Sequence, residues 1–214
     1  MYKPTGIDRT YPNVMNIEAV LGLEYNKFSD RCTPDRNLTI PFVRNVVGPM
    51  DYTPGSMRYM NPETFKKSWD NPHSMSTRPQ QLAMFVIYHG GVQMLADSPT
   101  FYEVDDIAFN FLSQVPVTWD ESVPLVEKFG KVIVIARRHG HKWYVGGMAE
   151  TSEQSIEFSL SFLGNQKYKA SLITIGKNAS DLKTETLELE SNQNLEHTIP
   201  ALGGFVLAIE KDIE

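Results

Sequence analysis

Beyond Pro116 apolar and polar side chains exchange places at every second residue, segment after segment. Residues 131–137 (K-V-I-V-I-A-R) and 142–148 (K-W-Y-V-G-G-M) flank the turn His139-Gly140-His141, which is a hairpin signal. Residues 155–162 put Ile156, Phe158, Leu160 and Phe162 on one face and Ser or Glu on the other. Further strands are predicted at 168–176, 184–189, 195–199 and 204–209. Roughly seven short strands with Gly, Asn and Asp at the turns predict an antiparallel β-sandwich. Ile133, Ile135, Phe158, Leu160 and Phe162 are its expected interior.

Before residue 112 the periodicity is of another kind. Residues 77–89 carry apolar side chains at 82, 83, 85, 86 and 87, with Pro79 in the first turn after Ser76 or Thr77. That predicts a helix, which Gly90-Gly91 stops or kinks. Residues 102–112 predict a second helix, with Val104, Ile107, Ala108, Phe111 and Leu112 on one face. One strand is predicted at 39–47, and long Pro- and Gly-rich segments fill the rest. So few elements do not close a core by themselves. The first half reads as the last part of a larger α/β structure, with the sandwich appended, and the division falls at 112/113.

Composition narrows the classes. The chain has 214 residues, 41% hydrophobic and 21% charged, which excludes disorder and disulfide-dense scaffolds. A net charge of −6 without a basic stripe argues against a nucleic-acid partner. The one cysteine, Cys32, offers neither an internal disulfide nor a zinc framework and is expected half-buried in a loop. No apolar run approaches the ~20 residues that span a bilayer. The start M-Y-K-P-T-G-I-D is unlike a signal peptide, so an export signal of the parent protein would lie upstream.

The candidate chemistry lies in the first 55 residues. Glu18 and Glu24 sit among Ala, Val, Leu and Tyr without the Lys partners of a solvated helix face. Six residues separate them, about 120° on a straight helix and about 20 Å on a straight strand. Both carboxylates reach one ion only if the chain bends, and Gly22 permits a bend. The other reading of the pair is two surface acids flanking a short apolar segment. His139 and His141 have metal-compatible spacing but sit in a hairpin turn.

Six segments carry a resemblance: P-T-G-I-D-R-T-Y-P-N, E-A-V-L-G-L-E-Y, L-T-I-P-F-V-R, G-P-M-D-Y-T-P-G, Q-Q-L-A-M and Q-M-L-A-D-S-P. In order and spacing they resemble the C-terminal part of glycoside hydrolase family 97, calcium-dependent α-glucosidases and α-galactosidases, mostly bacterial and often periplasmic. The resemblance implies an α+β composite: the last elements of a (β/α)8 barrel over 1–112, then a C-terminal antiparallel β-sandwich over 113–214. It implies Glu24 as general acid, Glu18 and Glu24 as calcium ligands, and Asp51 and Tyr52 at a sugar subsite, although a loop held by Pro49 and Pro54 explains the latter two as well. Arg9 and Asn13 are expected to pin the loop bearing Glu18. The implied substrate is an α-linked oligosaccharide or glycoside, with glucosides favoured over galactosides, and the implied setting is the periplasm or outside the cell. Base and nucleophile positions of the family fall upstream of Met1, as do the rest of the barrel and the N-terminal domain, so the 214-residue chain alone is expected to be inactive. A non-catalytic carbohydrate-binding or accessory module is the alternative; an exposed row of aromatics on the sandwich would favour it.

Overall fold

The computed structural model describes residues 7–212. Its second half is all β: β1 (Glu121–Lys128), β2 (Val132–His139), β3 (Lys142–Ala149), β4 (Gln154–Ser159), β5 (Lys167–Ile175), β6 (Leu182–Glu190), β7 (Asn194–Ile199) and β8 (Gly204–Lys211). Six strands form one antiparallel sheet in the order β1-β2-β3-β8-β5-β6, and β4 pairs with β7 as a second layer. Alternation explains the stacking. Val132, Val134, Ala136, Val145 and Leu207 face Ile156, Phe158, Leu160 and Ile199 across the two layers.

The opposite face of the large sheet is covered too. Ile133, Tyr144, Met148 and Val206 join a second core with the helical half. Ile133 is therefore buried, and Ile135 half-buried, on the far side of the sheet from Phe158 and Leu160. Phe162 is half-buried against the sandwich core and packs on Trp143. The sequence reading missed β1, because Pro124 interrupts it. Pro is tolerated there because β1 is an edge strand with a register shift between Pro124 and Val126.

The helical half contains α1 (Ile7–Thr10), α2 (Pro34–Val43), α3 (Arg78–Ile87), α4 (Pro99–Glu103) and α5 (Asp106–Leu112). Two expectations are corrected. The strand predicted at 39–47 is the end of α2 and a 3-10 turn, Asn45–Val47. Thr33 caps that helix by accepting the Arg36 N–H, and Pro34 pre-sets its first turn. Capping outweighed the β-branched run. The helix predicted at 102–112 is two helices, since Asp105 restarts the chain by accepting the Ala108 N–H at 3.1 Å.

Helix α3 joins the halves. Thr77 is its N-cap, and every residue from Pro79 to Ile87 is buried. It lies so close to β3 and β8 that a Cβ on Gly146 would stand 2.8 Å from Val86 Cβ, and one on Gly204 2.6 Å from Gln80 Cα. The Gln80 side-chain amide donates to the Ala149 carbonyl at 2.8 Å, and the buried Arg137 donates to the Ile87 carbonyl at 2.9 Å, closing the helix end. The helical half and the far face of the large sheet thus share a core, beside the one enclosed between the two sheets.

Candidate functional site

Glu18 and Glu24 lie on the segment that leaves a parallel bridge between Ile17 and Met50. Arg44, largely buried, fixes that segment: its guanidinium donates to the carbonyls of Glu18 (3.1 Å), Ile17 (2.5 Å), Gly48 (3.0 Å) and Pro49 (3.0 Å). Asn16 ties it to the Gly91 N–H at 2.7 Å and the Val92 carbonyl at 2.5 Å. Arg44 and Asn16 make the anchors anticipated at Arg9 and Asn13, whose side chains are exposed. The bend falls at Ala19, in the left-handed region at φ 42°, and not at Gly22, which is extended at φ −72°. Gly22 instead leaves room for the Glu24 side chain. The Glu24 carboxylate folds back over its Cα, into the space any Cβ would occupy.

Glu24 opens the 3-10 turn Leu23–Lys27 and is exposed. Thr53 sits between that turn and the 48–55 loop. Its hydroxyl accepts the Leu23 N–H at 3.1 Å and donates to Glu24 Oε2 at 2.7 Å. The backbone donor thereby directs the threonine proton onto Oε2 and leaves Oε1 for another partner. The loop is held from behind by Gln81, fully buried, whose Oε1 accepts the N–H groups of Gly55 (2.9 Å) and Ser56 (3.1 Å).

Glu24, Asn26, Lys27, Thr53, His73 and Asp97 line a cleft of about 90 Å³. The Asp97 side chain is 2% exposed and paired with Arg58, whose Nε donates to Oδ1 at 2.9 Å; Oδ2 accepts the Met57 N–H at 2.7 Å. With both oxygens engaged, Asp97 stiffens the wall.

The other sequence candidates fall in three places. Asp51 is exposed, and its backbone N–H donates to the Ile17 carbonyl at 3.2 Å, so it sits beside the Glu18 segment. Tyr52 points the other way. It is 4% exposed, its hydroxyl donates to Asn37 Oδ1 at 3.1 Å, and its ring meets Tyr88 edge-on at 5.0 Å. Burial pushes its phenol pKa up, and the side chain serves the core beneath Asp51. Cys32 is buried rather than half-buried, its thiol donating to the Gly22 carbonyl at 3.1 Å, and burial raises its pKa to about 11. His139 Nδ1 lies 2.9 Å from the Thr118 carbonyl at the hairpin end.

Among the described residues no group of three or more His, Cys, Asp or Glu side chains is gathered as a metal site. Glu18 and Glu24 offer hard carboxylate oxygens, the donor type calcium takes, but two carboxylates fall short of its usual 6–8 oxygens. Thr53, Arg44 and Gln81 were missed from sequence. Thr53 stood inside G-P-M-D-Y-T-P-G, and nothing local distinguishes its hydroxyl from that of any loop threonine.

Residues 118–210 match the family model described as "Glycosyl-hydrolase 97 C-terminal, oligomerisation". A "Retaining alpha-galactosidase" of Bacteroides thetaiotaomicron is 40% identical over 98% of this chain and 32% of its own length. A "Probable retaining alpha-galactosidase" of Streptomyces bingchenggensis is 33% identical over 94% of this chain and 29% of its own. A solved glycoside hydrolase family 97 enzyme in complex with acarbose, from Pseudoalteromonas sp. strain K8, superposes with TM-score 0.85 at 30% identity, covering 97% of this chain and 33% of that one. The chain carries the C-terminal domain of glycoside hydrolase family 97. It spans about a third of the length of the curated relatives it matches.

Proposed function

We propose that this chain forms part of a calcium-dependent α-glycosidase in which Glu24 is the general acid. The observation that carries it is the Glu24 carboxylate, exposed at a cleft with Oε2 engaged by Thr53 and Oε1 left for substrate. A proton on Oε1 passes to the glycosidic oxygen as the bond to the anomeric carbon breaks, and the departing sugar leaves as a neutral alcohol. The carboxylate that acts on the opposite face is supplied by the parent's upstream portion, so the 214-residue chain alone is inactive. Both curated relatives bear the name of retaining α-galactosidases. We therefore take α-galactosides as substrate, in place of the glucosides favoured by the sequence.

Glu18 and Glu24 would hold the calcium ion, with Arg44 fixing the backbone of Glu18. When bound, the ion supplies positive charge near the reacting sugar. Asp51 contributes a polar contact at the subsite, and Tyr52 supports it from below. Residues 1–112 are read as the last barrel elements, in keeping with parallel bridges at Ile17–Met50 and Tyr59–Ser74 beside an otherwise antiparallel chain, and 113–214 as the appended sandwich. Periplasmic or secreted placement belongs to the same reading; no helix among the described residues is long and apolar enough to cross a membrane. The accessory-module reading is the weaker one, since Phe158 stacks on Phe205 and Phe162 packs at a tilt on Trp143 within the sandwich.

The test is Glu24→Gln in the whole protein that carries this chain. Hydrolysis of unactivated α-galactosides should fall by about 10²–10⁴, while α-galactosyl fluoride, whose leaving group departs unprotonated, should be far less affected. Equal losses on both substrates would show that Glu24 only holds the loop or the ion.

A further inference from the structure

The 3-10 turn that presents Glu24 begins a row of aromatic side chains, with Tyr25 on the turn, Phe28 at its C-cap and Trp69 beyond. Tyr25 and Phe28 have ring centroids 4.8 Å apart, and Phe28 and Trp69 6.1 Å apart with planes inclined by 30°. This row is open to solvent: Trp69 is 66% exposed and Phe28 50%. Lys27 joins the row to the cleft, since it lines the cleft wall with Glu24 while its Nζ stands 5.5 Å from the Trp69 ring centroid. On the same cleft wall, Asn26 and His73 each have one buried polar atom, Oδ1 and Nδ1, without a protein hydrogen-bond partner. Asn26 is only 2% exposed, and an unsatisfied buried acceptor ordinarily costs about 1–3 kcal/mol.

An aromatic face beside polar groups suits one class of ligand well. A pyranose has an apolar C–H face that lies flat on an aromatic ring and a rim of hydroxyls that reach charged and amide groups. A protein-docking hot spot would bury its aromatics in a packed centre, whereas Trp69 stands between the exposed charges of Lys67 and Asp70.

We propose that Trp69 and Phe28 are a sugar-stacking platform on the leaving-group side of the scissile bond, with Lys27 meeting the hydroxyl rim of the departing sugar. The assignment to that side rests on Glu24 being the general acid. The acid stands at the leaving oxygen, so the side chains that continue outward from its turn, Phe28 at the C-cap and Trp69 packed on it, meet the sugar attached to that oxygen.

The experiment compares Trp69→Ala and Phe28→Ala with the unsubstituted whole protein, on melibiose and maltose, each against the matching α-glycosyl fluoride. A fluoride has no second sugar. For Trp69→Ala the expected result is a loss of about tenfold in kcat/KM on the disaccharide that is hydrolysed, mostly through KM, with the fluoride within about twofold. Trp69→Phe, which keeps a ring, should recover most of it and so separates stacking from misfolding. Equal losses on disaccharide and fluoride, or none on either because another part of the protein covers the platform, would overturn the proposal. The Glu24 reading fails separately. Full activity of Glu24→Gln on the disaccharide would remove the general acid and with it the leaving-group assignment, whatever Trp69 does. An inactive Glu24→Gln beside a normal Trp69→Ala would overturn the platform alone.

Discussion

Between β3 and β8 the backbone is covered by α3 on one face and by β4 and β7 on the other, and what holds it is apolar contact at close range. Between Asn16 and Asn26 the backbone is held by polar side chains that arrive from far along the chain: Arg44, Thr53 and, one step behind, Gln81. Apolar packing is non-directional and tolerates repacking, so it makes a stable platform without fixing any one atom. Hydrogen bonds to named carbonyls fix position to fractions of an ångström and contribute less per contact. The chain uses the first for its scaffold and the second where a carboxylate has to point in one direction.

Substitutions on the two sides should therefore separate stability from activity. The largest effect belongs to the scaffold. Phe205 is fully buried between the sheets, stacked near Phe158, and Phe205→Ala should cost about 3–5 kcal/mol. Urea denaturation reads the loss, while the specific activity of the protein still folded stays near normal. A large activity loss in the folded fraction would mean that the sandwich positions the loop after all.

That contrast also explains what was legible in the sequence. Alternation showed seven of the strands because a half-buried strand must repeat with period two. It did not show that Ile133 and Phe158 face different layers, since periodicity says which residues share a face and not what covers it. The segment 39–47 misled because Thr39, Ile40, Val43, Val46 and Val47 suit a strand, while the decisive cap at Thr33 lies outside the window. Glu18 and Glu24 were picked out by their apolar surroundings. Arg44 was not, because its four carbonyl partners come together only in the fold. Trp69 was passed over for the same reason: its distance from Glu24 along the chain hides that Lys27 touches both its ring and the cleft.

On the loop side, Arg44→Met leaves the carbonyls of Ile17, Glu18, Gly48 and Pro49 without their donor and should cost about 2–3 kcal/mol. If Glu18 is a calcium ligand, calcium affinity measured by titration should fall with it. Unchanged affinity would remove Glu18 from the ion's shell. Thr53→Val is the sharper test, with a stability cost of about 1 kcal/mol but a fall in turnover of roughly tenfold to a hundredfold from a misdirected carboxylate. Activity close to normal would show that Glu24 needs no help from the 48–55 loop.

Cys32 reports on the same region without altering it. Burial holds its thiol near pKa 11 against 9.0 for a free one, so the native thiol should not react with Ellman's reagent at pH 8 and should label only on unfolding. The sign for stability follows. The unfolded chain releases this proton first, so stability should decline as pH rises from about 9 to about 11. Rapid labelling of the native protein at pH 8 would mean that the Gly22–Cys32 contact opens.

The smallest effect is expected at the bend itself. Ala19 holds φ 42°, a left-handed conformation that costs an L-residue about 1–2 kcal/mol. Glycine pays no such penalty but loses about 0.5–1 kcal/mol more backbone entropy on folding. Ala19→Gly should therefore stabilise the fold by no more than about 1 kcal/mol, visible as a small rise in Tm. Its consequence for activity carries more information. If the strain serves only to turn the chain, activity stays the same, because Arg44 still fixes the carbonyls before the bend and Thr53 the turn after it. A gain in stability accompanied by a loss of turnover would show that the rigidity of Ala19, and not the hydrogen bonds around it, sets the spacing between Glu18 and Glu24.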